Sequence, residues 1–281
     1  MKLLTFKYQD TTYWGVLKED GIYYSDHLIQ FFPNMGSIIE NFHHLNLEQD
    51  LTKFVKLDEV EILPPYRPNK NIMCIGKNYS EHAMEMTNDP NSIPKDPVVF
   101  TKSPSSVIGD GQPVKAHSHV TEQLDYEGEL AVIIGKKGIN ITKENALDYV
   151  FGYTIMNDIT ARDLQKKHQQ FFKGKSLDTF APMGPYIVTA DEIEDVQELS
   201  IVTKINDEVR QNGNTKDMIF SVAKLIEILS QGMTLEPGDI IATGTPSGVG
   251  KGFNPPKFLK AGDSVSIEVK GIGTLTNTIV S

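Results

Sequence analysis

Short apolar segments separated by turn-forming residues run through most of this sequence, and their spacing limits the folds that it can adopt. Beyond residue 70 each segment has about four to eight residues, the usual length of a strand, and Gly, Pro, Asn or Asp separates it from the next. The clearest examples are Val98–Thr101, Glu129–Ile134, Phe151–Met156, Ser200–Ile205, Asp239–Thr243 and Ser264–Val269. Helical patterns do not alternate regularly with these strands, which argues against a Rossmann fold or a TIM barrel. The pattern favours a mixed, β-rich α+β roll or sandwich with peripheral helices.

Few segments beyond residue 70 have a helical pattern. One is Lys143–Tyr149, and the longest is Asp217–Ser230, which carries apolar side chains at helical spacing. Another helix is predicted to start at Thr160, whose hydroxyl can cap it while Asp163 stands three positions later.

A cluster of prolines divides the chain near residue 65. Pro64, Pro65 and Pro68 stand within five residues, and such a run can continue neither a helix nor a central strand. The sequence therefore predicts a small N-terminal α+β domain at 1–67 and a main domain at 68–281. The elements predicted in the first domain are strands at Leu3–Tyr8, Thr12–Leu17 and Gly21–Tyr24 and a helix at Ser37–Leu45.

Composition and charge narrow the class of function. The 281 residues, of 31.3 kDa, are enough to bury a large core without help from a disulfide or a metal. There are 27 basic and 37 acidic residues, which give a net charge of −10. Because binding to a phosphate backbone depends on cationic surface, a nucleic-acid partner is not expected. A small anionic substrate remains compatible, since a local site can oppose the overall charge.

The single cysteine and the N-terminal sequence indicate a compartment. Cys74 cannot form an internal disulfide or a zinc cluster, and its apolar neighbours predict a buried strand. Lys7 interrupts the N-terminus before the apolar core of a signal peptide can form. No apolar run approaches the roughly 18 residues of a membrane span. We expect a cytoplasmic protein with no membrane partner.

Carboxylates at the ends of two predicted strands could form a metal site. Glu127 and Glu129 share one face of a strand, about 7 Å apart, and lead into the apolar run Leu130–Ile134. Asp158 closes another apolar strand and could complete a triad. Oxygen donors of this kind suit Mg²⁺, Mn²⁺ or Ca²⁺. Taken singly, the two glutamates also fit a solvated edge strand, and Asp158 fits a turn or a cap.

Two further segments carry potential catalytic groups. His82 and Glu85 meet if their segment is helical, and a carboxylate beside an imidazole raises its basicity. The polar, proline-containing stretch 87–97 that follows could form a mobile flap. Lys175 stands among apolar and turn residues, where its ammonium could stabilise a developing oxyanion. A surface His–Glu pair and a solvated loop lysine are the alternatives.

A glycine-rich segment at 241–252 looks like a phosphate-binding loop but fails the pattern. Thr245 stands where the Walker motif needs its first glycine, and Gly252 replaces the Ser or Thr after the lysine. The segment is instead predicted to be a loop whose amides and Thr245 hydroxyl can hold a substrate carboxylate.

Together these segments resemble the fumarylacetoacetate hydrolase family, from about Asn71 to the C-terminus. The resemblance is to its prokaryotic-type members, related to acylpyruvate hydrolases and 2-hydroxyhepta-2,4-diene-1,7-dioate isomerases. The segments that carry it are Gly76–Tyr79 with His82, Pro97–Ser105, Asp125–Gly135, Asn157–Gln165, Lys175–Pro185 and Thr243–Gly250. Several segments in this order are far more specific than any one of them.

The resemblance implies a β-roll fold, a homodimer and a metal-dependent site. It implies that Glu127, Glu129 and Asp158 bind Mg²⁺ or Mn²⁺, that His82 and Glu85 activate water beneath a lid, and that Lys175 stabilises an oxyanion. The residues that it implies orient the substrate are Arg162, Gln165 and Thr245. The substrate would be a small 2-oxo acid or enol diacid, which can chelate the metal through two oxygens.

Two departures separate the chain from fumarylacetoacetases proper. The stretch Met73–Gly76 lacks the fourth metal carboxylate of those enzymes, and the N-terminal domain is much shorter than theirs. We therefore expect a hydrolase that cleaves a C–C bond in acylpyruvate-like diketo acids. The alternatives are decarboxylation or tautomerisation of oxaloacetate, isomerisation of a hydroxymuconate-type diacid on the same site, and a non-catalytic ligand-binding scaffold.

Overall fold

A computed structural model gives the fold and describes residues 1–87, 89 and 93–281, apart from the side chains of Glu48 and Thr87. The strands are β1 (Lys2–Tyr8), β2 (Thr11–Lys18), β3 (Gly21–Tyr24), β4 (Lys53–Val55), β5 (Glu61–Leu63), β6 (Ile72–Gly76), β7 (Val98–Lys102), β8 (Val107–Ile108), β9 (Val114–Lys115), β10 (Leu124–Asp125), β11 (Gly128–Ile134), β12 (Val150–Asn157), β13 (Thr160–Ala161), β14 (Ala181–Thr189), β15 (Ser200–Ile205), β16 (Glu208–Asn214), β17 (Ile240–Ala242), β18 (Ser264–Val269) and β19 (Gly273–Val280). The α-helices are α1 (Asp26–Phe31), α2 (Met35–Asn41), α3 (Leu47–Asp50), α4 (Ser80–Thr87), α5 (Arg162–Lys167), α6 (Phe172–Lys175) and α7 (Val222–Ser230).

Two sheets form the body of the protein. The larger runs in the order β4-β3-β2-β1-β14-β12-β11-β17-β6-β7, with β5 beside β1 and β8 beside β14. The second runs β16-β15-β18-β19-β9, and β10 and β13 form a separate pair. Most neighbours are antiparallel, whereas β17–β6, β14–β8 and β19–β9 are parallel. The β-rich class predicted from the sequence is confirmed.

Strand β11 lies at the centre of this architecture because both of its faces are buried. Leu130, Val132 and Ile134 belong to the core cluster that includes the second sheet and α7, whereas Ala131 and Ile133 belong to a cluster on the opposite face. Alternation of side chains along a strand explains this division. A strand covered on both faces reads as a continuous apolar run, as it does here.

The N-terminal strands extend the large sheet. Strand β1 pairs with β14, with Lys2 opposite Val188 and Leu3 opposite Ile187. Leu3 also packs in the same core cluster as Ile133. The division at 67/68 stays a prediction, but the two predicted parts share one sheet and one core.

Helix starts differ from the sequence expectations at two places. Thr160 does not cap a helix: it pairs in β13 with Asp125, and α5 begins only at Arg162. Helix α7 begins at Val222 behind a Ser221 cap, not at residue 217, because a short 3-10 turn occupies 215–217. At Thr160, strand pairing with a distant segment takes the place of the expected cap, and at 215–217 the 3-10 turn takes the place of the expected first helical turn. The segment 143–149 is likewise a 3-10 helix.

None of the helices in the described part of the chain is long and apolar enough to cross a membrane.

Candidate active site and metal centre

Pairing between β11 and β12 brings the three predicted metal carboxylates together. Gly128 lies opposite Asn157, so Glu127 and Asp158 flank the same end of the strand pair. The Asp158 amide donates to the Glu127 carbonyl at 2.9 Å, and the Glu127 amide donates to Asn157 Oδ1 at 3.1 Å. Glu127, Glu129 and Asp158 are buried, and each offers one oxygen within 4.8 Å of the others. Hard divalent cations bind oxygen sets of this kind.

Two cationic side chains neutralise Glu127. Lys175 Nζ lies 2.6 Å from Glu127 Oε2 and 2.7 Å from Asp158 Oδ2. Arg162 Nη1 lies 2.8 Å from Glu127 Oε1. Burial alone would raise the pKa of Glu127, but Lys175 and Arg162 outweigh it and hold that pKa well below its usual range. Glu127 is therefore ionised without any added cation.

Glu129 has a different environment. Among the described residues, its hydrogen bonding consists of one bond, from the Gly244 amide to Oε2 at 2.9 Å. Burial and the carboxylates of Asp158 and Glu127 raise its pKa well above the ordinary value. In the part of the chain that the structure describes, no cationic side chain forms an ion pair with Glu129, in contrast to Glu127 and Asp158. A divalent ion fits this donor set, because it would supply the missing positive charge and accept hard oxygen ligands.

Lys102 supports Asp158 from the side opposite Lys175. It is fully buried at the end of β7, and its Nζ lies 2.6 Å from Asp158 Oδ1 and 3.0 Å from the Ile159 carbonyl. Burial lowers the pKa of Lys102, against the opposing effect of Asp158. With both carboxylate oxygens held, Asp158 has a fixed orientation.

Arg162 is fixed by Asp125 and keeps one donor without a partner. Its Nε donates to Asp125 Oδ2 at 2.8 Å, and its Nη1 also reaches Gln165 Oε1 at 3.3 Å. Asp125 in turn accepts from the amides of Gly250 and Lys251. Arg162 Nη2 is buried and has no hydrogen-bond partner among the residues that the structure describes. A buried donor of this kind is costly unless a ligand satisfies it.

The predicted His–Glu pair lies on α4 and is held by the glycine-rich loop. His82 Nδ1 lies 3.2 Å from Glu85 Oε2, and the Gly248 amide donates to Glu85 Oε1 at 2.9 Å. Asn78, just before the helix, donates to the Thr243 carbonyl at 2.8 Å. The helical geometry expected for this pair is therefore present, and the loop 243–248 fixes its position relative to the carboxylates.

Several of these groups line one cavity of about 260 Å³. It is lined by Ile75, Gly76, Lys77, His82, Met86, Phe100, Glu127, Glu129, Arg162, Gln165, Lys166, Phe171, Lys175, Thr245 and Lys251. A larger cavity, of about 390 Å³, lies between Trp14 and Tyr66, away from the carboxylates. We assign the candidate active site to the smaller cavity because the buried ionisable groups converge there.

The structure brings together the residues predicted to act in the site, although some of their contacts differ from the expected roles. Lys175 was expected to face the substrate, but its ammonium already forms ion pairs with Glu127 and Asp158. The Thr245 hydroxyl lines the cavity but donates to the Gly128 carbonyl and accepts from Gln211 Nε2 at 2.7 Å. Part of the predicted flap 87–97 lies outside the described residues.

Sequence reasoning did not single out Lys102, Asp125 or Asn78 as functional. The signal for Lys102 was a lysine at the end of an otherwise apolar strand, since such a residue needs a buried partner. The signal for Asp125 was weaker, because an aspartate two residues before Glu127 reads equally well as a turn.

Comparison with known proteins agrees with this geometry. Residues 71–280 match the family model described as fumarylacetoacetate (FAA) hydrolase, C-terminal. The chain is 62% identical to oxaloacetate tautomerase YisK of Bacillus subtilis over 224 residues, which are 79% of this chain and 74% of that protein.

Solved structures extend the similarity to the whole chain. A fumarylacetoacetate hydrolase from Exiguobacterium antarcticum is 43% identical with a TM-score of 0.91, and the alignment covers 100% of this chain and 99% of that one. A maleylpyruvate hydrolase from Sphingobium, solved with manganese(II) and pyruvate, is 30% identical with a TM-score of 0.82 and the same coverage. The chain belongs to the fumarylacetoacetate hydrolase family, whose enzymes use a divalent metal.

Proposed function

We propose that this protein is a divalent-metal-dependent tautomerase that interconverts the enol and keto forms of oxaloacetate or a closely similar 2-oxo diacid. The observation that carries the proposal is the set of three buried carboxylates, Glu127, Glu129 and Asp158. Two of them, Glu127 and Glu129, line a small cavity together with Lys175 and His82, and Glu129 has no ion pair within the described part of the chain. The 62% identity to an oxaloacetate tautomerase supports the choice of reaction.

Glu127, Glu129 and Asp158 would hold the metal. When bound, Mg²⁺ or Mn²⁺ supplies Lewis-acid polarisation of a 2-oxo group. The ammonium of Lys175, already in contact with two of these carboxylates, is placed to donate a hydrogen bond to the C2 oxygen as negative charge develops there. The unpartnered Nη2 of Arg162 is placed to donate to a substrate carboxylate.

Tautomerisation needs one proton moved between carbon and oxygen. His82 lines the cavity, and its Nδ1 is engaged by Glu85, which leaves Nε2 to accept a proton from C3 of the keto form. The electron pair of the C–H bond becomes the C2–C3 double bond, the C2 oxygen takes a proton from water, and His82 returns its proton to water. No atom is gained or lost, and the reverse sequence converts enol to keto.

Hydrolysis of a diketo acid is the second candidate. The observation that favours it is the His82–Glu85 pair, whose geometry suits activation of water. Attack of that water on the distal carbonyl would break the adjacent C–C bond and release pyruvate and a carboxylic acid. The similarity to a maleylpyruvate hydrolase supports this candidate at lower identity.

A direct test follows both reactions in one preparation. Enolic oxaloacetate and acetylpyruvate are supplied separately to the Mg²⁺-loaded protein, and the enol absorbance, ketone formation and pyruvate release are recorded, with EDTA as the metal-free arm. We expect oxaloacetate to ketonise faster with the Mg²⁺-loaded protein than in the EDTA arm, without release of pyruvate. Metal-dependent pyruvate and acetate from acetylpyruvate would favour the hydrolase instead, and pyruvate from oxaloacetate would identify a decarboxylase.

His82→Ala separates the roles further. We expect the substitution to slow ketonisation and hydrolysis by about 10²- to 10⁴-fold, the range for loss of a general base. An unchanged rate of ketonisation in this variant would show that His82 is not the base. Lys143→Ala, in the 3-10 helix that packs against α7, provides a control for the effects of substitution alone.

A further inference from the structure

Besides Lys175, three lysines line the candidate active-site cavity beside the carboxylates. Lys77 follows β6, Lys166 lies on α5, and Lys251 lies in the short turn Gly250–Gly252. We call these three residues the lysine rim. They come from parts of the chain far apart in sequence, and the fold gathers them at one cavity.

The lysine rim differs from the cations deeper in the site. Lys175 and Arg162 each contact buried carboxylates, so their charges are balanced within the protein. Lys166 and Lys251 form no ion pair with any carboxylate in the described part of the chain, and both side chains are exposed. Their charge is therefore available to a ligand that enters the cavity.

Lys251 has three cationic side chains and one carboxylate close enough to affect its charge. Partial burial of the Lys251 ammonium, together with Arg162, Lys166 and Lys77, lowers its pKa, although the residue is largely exposed and Asp125 acts in the opposite direction. This local excess stands against a chain whose net charge is −10. A cluster of like charges that repel one another is stabilised when an anion binds among them.

We propose that the lysine rim binds the second carboxylate of a dicarboxylic 2-oxo substrate, so that the site prefers dianions to monoanions of the same carbon length. The inference rests on the proposed function, which defines the end of the substrate that reacts. At that end, the 2-oxo group and the first carboxylate would be bound by Arg162 and by the metal that the buried carboxylates would hold. The second carboxylate then meets Lys166 and Lys251, which form no ion pair within the described residues. A monoanion such as acetylpyruvate leaves the rim unsatisfied.

Binding of unreactive analogues tests the inference independently of turnover. The Mn²⁺-loaded protein is titrated calorimetrically with malate and with 2-hydroxybutyrate, which have the same number of carbons but two and one carboxylates. The wild type is expected to bind malate more tightly. Lys166→Gln combined with Lys251→Gln is expected to weaken malate binding by roughly fivefold to tenfold, the effect of two partly solvated charges, and to leave the affinity for 2-hydroxybutyrate within about twofold.

Lys167→Gln is the matched control, because Lys167 lies on the same helix, is exposed and does not line the cavity. The preference for malate should also shrink as the salt concentration rises, since ions screen exposed charges. A wild type that binds both analogues equally, or neither, contradicts the inference. Equal loss of malate affinity in Lys167→Gln also contradicts it, because the effect is then one of overall charge.

The two proposals can fail separately. If the rim variant loses its preference for malate but the wild type does not tautomerise oxaloacetate, the subsite is established and the proposed reaction is wrong. If the wild type tautomerises oxaloacetate and the rim variant does so with unchanged KM, the reaction is established and the rim inference is wrong.

Discussion

Four buried carboxylates and three buried cations lie at or next to the candidate active site. They are Asp125, Glu127, Glu129 and Asp158 on one side and Lys102, Arg162 and Lys175 on the other. Groups of this kind are rarely buried unless they are paired, because desolvation of each charge is expensive. The pairing is incomplete at Glu129, which is where we expect an added cation to act.

Lys102 provides a test of this charge balance. Lys102→Met removes the cation that contacts Asp158 Oδ1 and is expected to lower the free energy of unfolding of the metal-free protein by about 3 kcal/mol or more, as for other broken buried pairs. Urea unfolding in EDTA measures the effect. Lys216→Met, at an exposed lysine, is the control. Equal unfolding midpoints for the two variants would contradict a structural role for Lys102.

Lys175 is expected to matter for turnover more than for metal binding. Lys175→Met removes the proposed donor to the C2 oxygen but none of the three carboxylates, so we expect kcat to fall by about 10²- to 10³-fold while Mn²⁺ still binds. Turnover and Mn²⁺ calorimetry on the same preparation give the two values. Loss of Mn²⁺ binding together with activity would show that Lys175 orders the ligands rather than assists the reaction.

At the scale of elements, the loop 243–248 joins the two halves of the candidate site. Its Gly244 amide donates to Glu129, and its Gly248 amide donates to Glu85. Gly244 has φ +96°, and a Cβ there would lie 2.8 Å from the Asn78 Cβ and 3.0 Å from the Ile75 carbonyl. Only glycine fits this conformation and this close approach without strain.

Gly244→Ala is therefore expected to weaken Mn²⁺ binding and turnover as well as stability. The matched control is Gly262→Ala, at φ +93° with nothing within 4 Å of the added Cβ. Both variants should lose about 1 kcal/mol or more of stability from the backbone conformation, but only Gly244→Ala should lose Mn²⁺ affinity. Calorimetry and thermal unfolding of both variants test this. Equal Mn²⁺ affinity in the two would show that the loop does not position Glu129.

At the scale of the whole molecule, the N-terminal residues complete the large sheet. Strand β1 covers an edge of β14, and Leu3 and Trp14 contribute to a core cluster that also contains Ile133 and Ile187. Without these residues, β14 would have an unpaired edge and the cluster would face water.

We therefore expect a chain that starts at residue 68 to aggregate or to unfold at a much lower temperature than the full chain. Size-exclusion chromatography and thermal unfolding of the two chains make the comparison. Leu3→Ala is a milder variant, with an expected loss of about 2–5 kcal/mol for a buried leucine. A monodisperse, cooperatively folded 68–281 fragment would contradict this expectation and support two independent domains.

The local sequence pattern predicted the bounds of several strands, but it did not predict which distant strands pair. The strands at Gly21–Tyr24, Ser200–Ile205 and Ser264–Val269 have the predicted bounds, because turn residues flank them directly. The union of β1 with β14 could not be predicted, since strand order depends on side-chain packing between distant segments.

The same limit applies to the site. Glu127 and Glu129 could be placed together from strand alternation, whereas the contact of Lys102 with Asp158 depends on how β7 reaches the end of β12. Thr160 was wrongly expected to cap a helix because its pairing with β10 has no local signal.

The most direct test of the proposed function is the metal dependence of oxaloacetate ketonisation in the wild type and in Glu129→Gln. The protein is stripped with EDTA, and the initial rate of loss of the enol is recorded as Mn²⁺ is returned, with Glu122→Gln, at an exposed glutamate, as the control. We predict that the wild type and the control recover activity with Mn²⁺ and that Glu129→Gln stays at least about 10²-fold slower, because it loses a charged ligand. Full activity in the stripped wild type, or in Glu129→Gln, would contradict a metal-dependent reaction at these carboxylates.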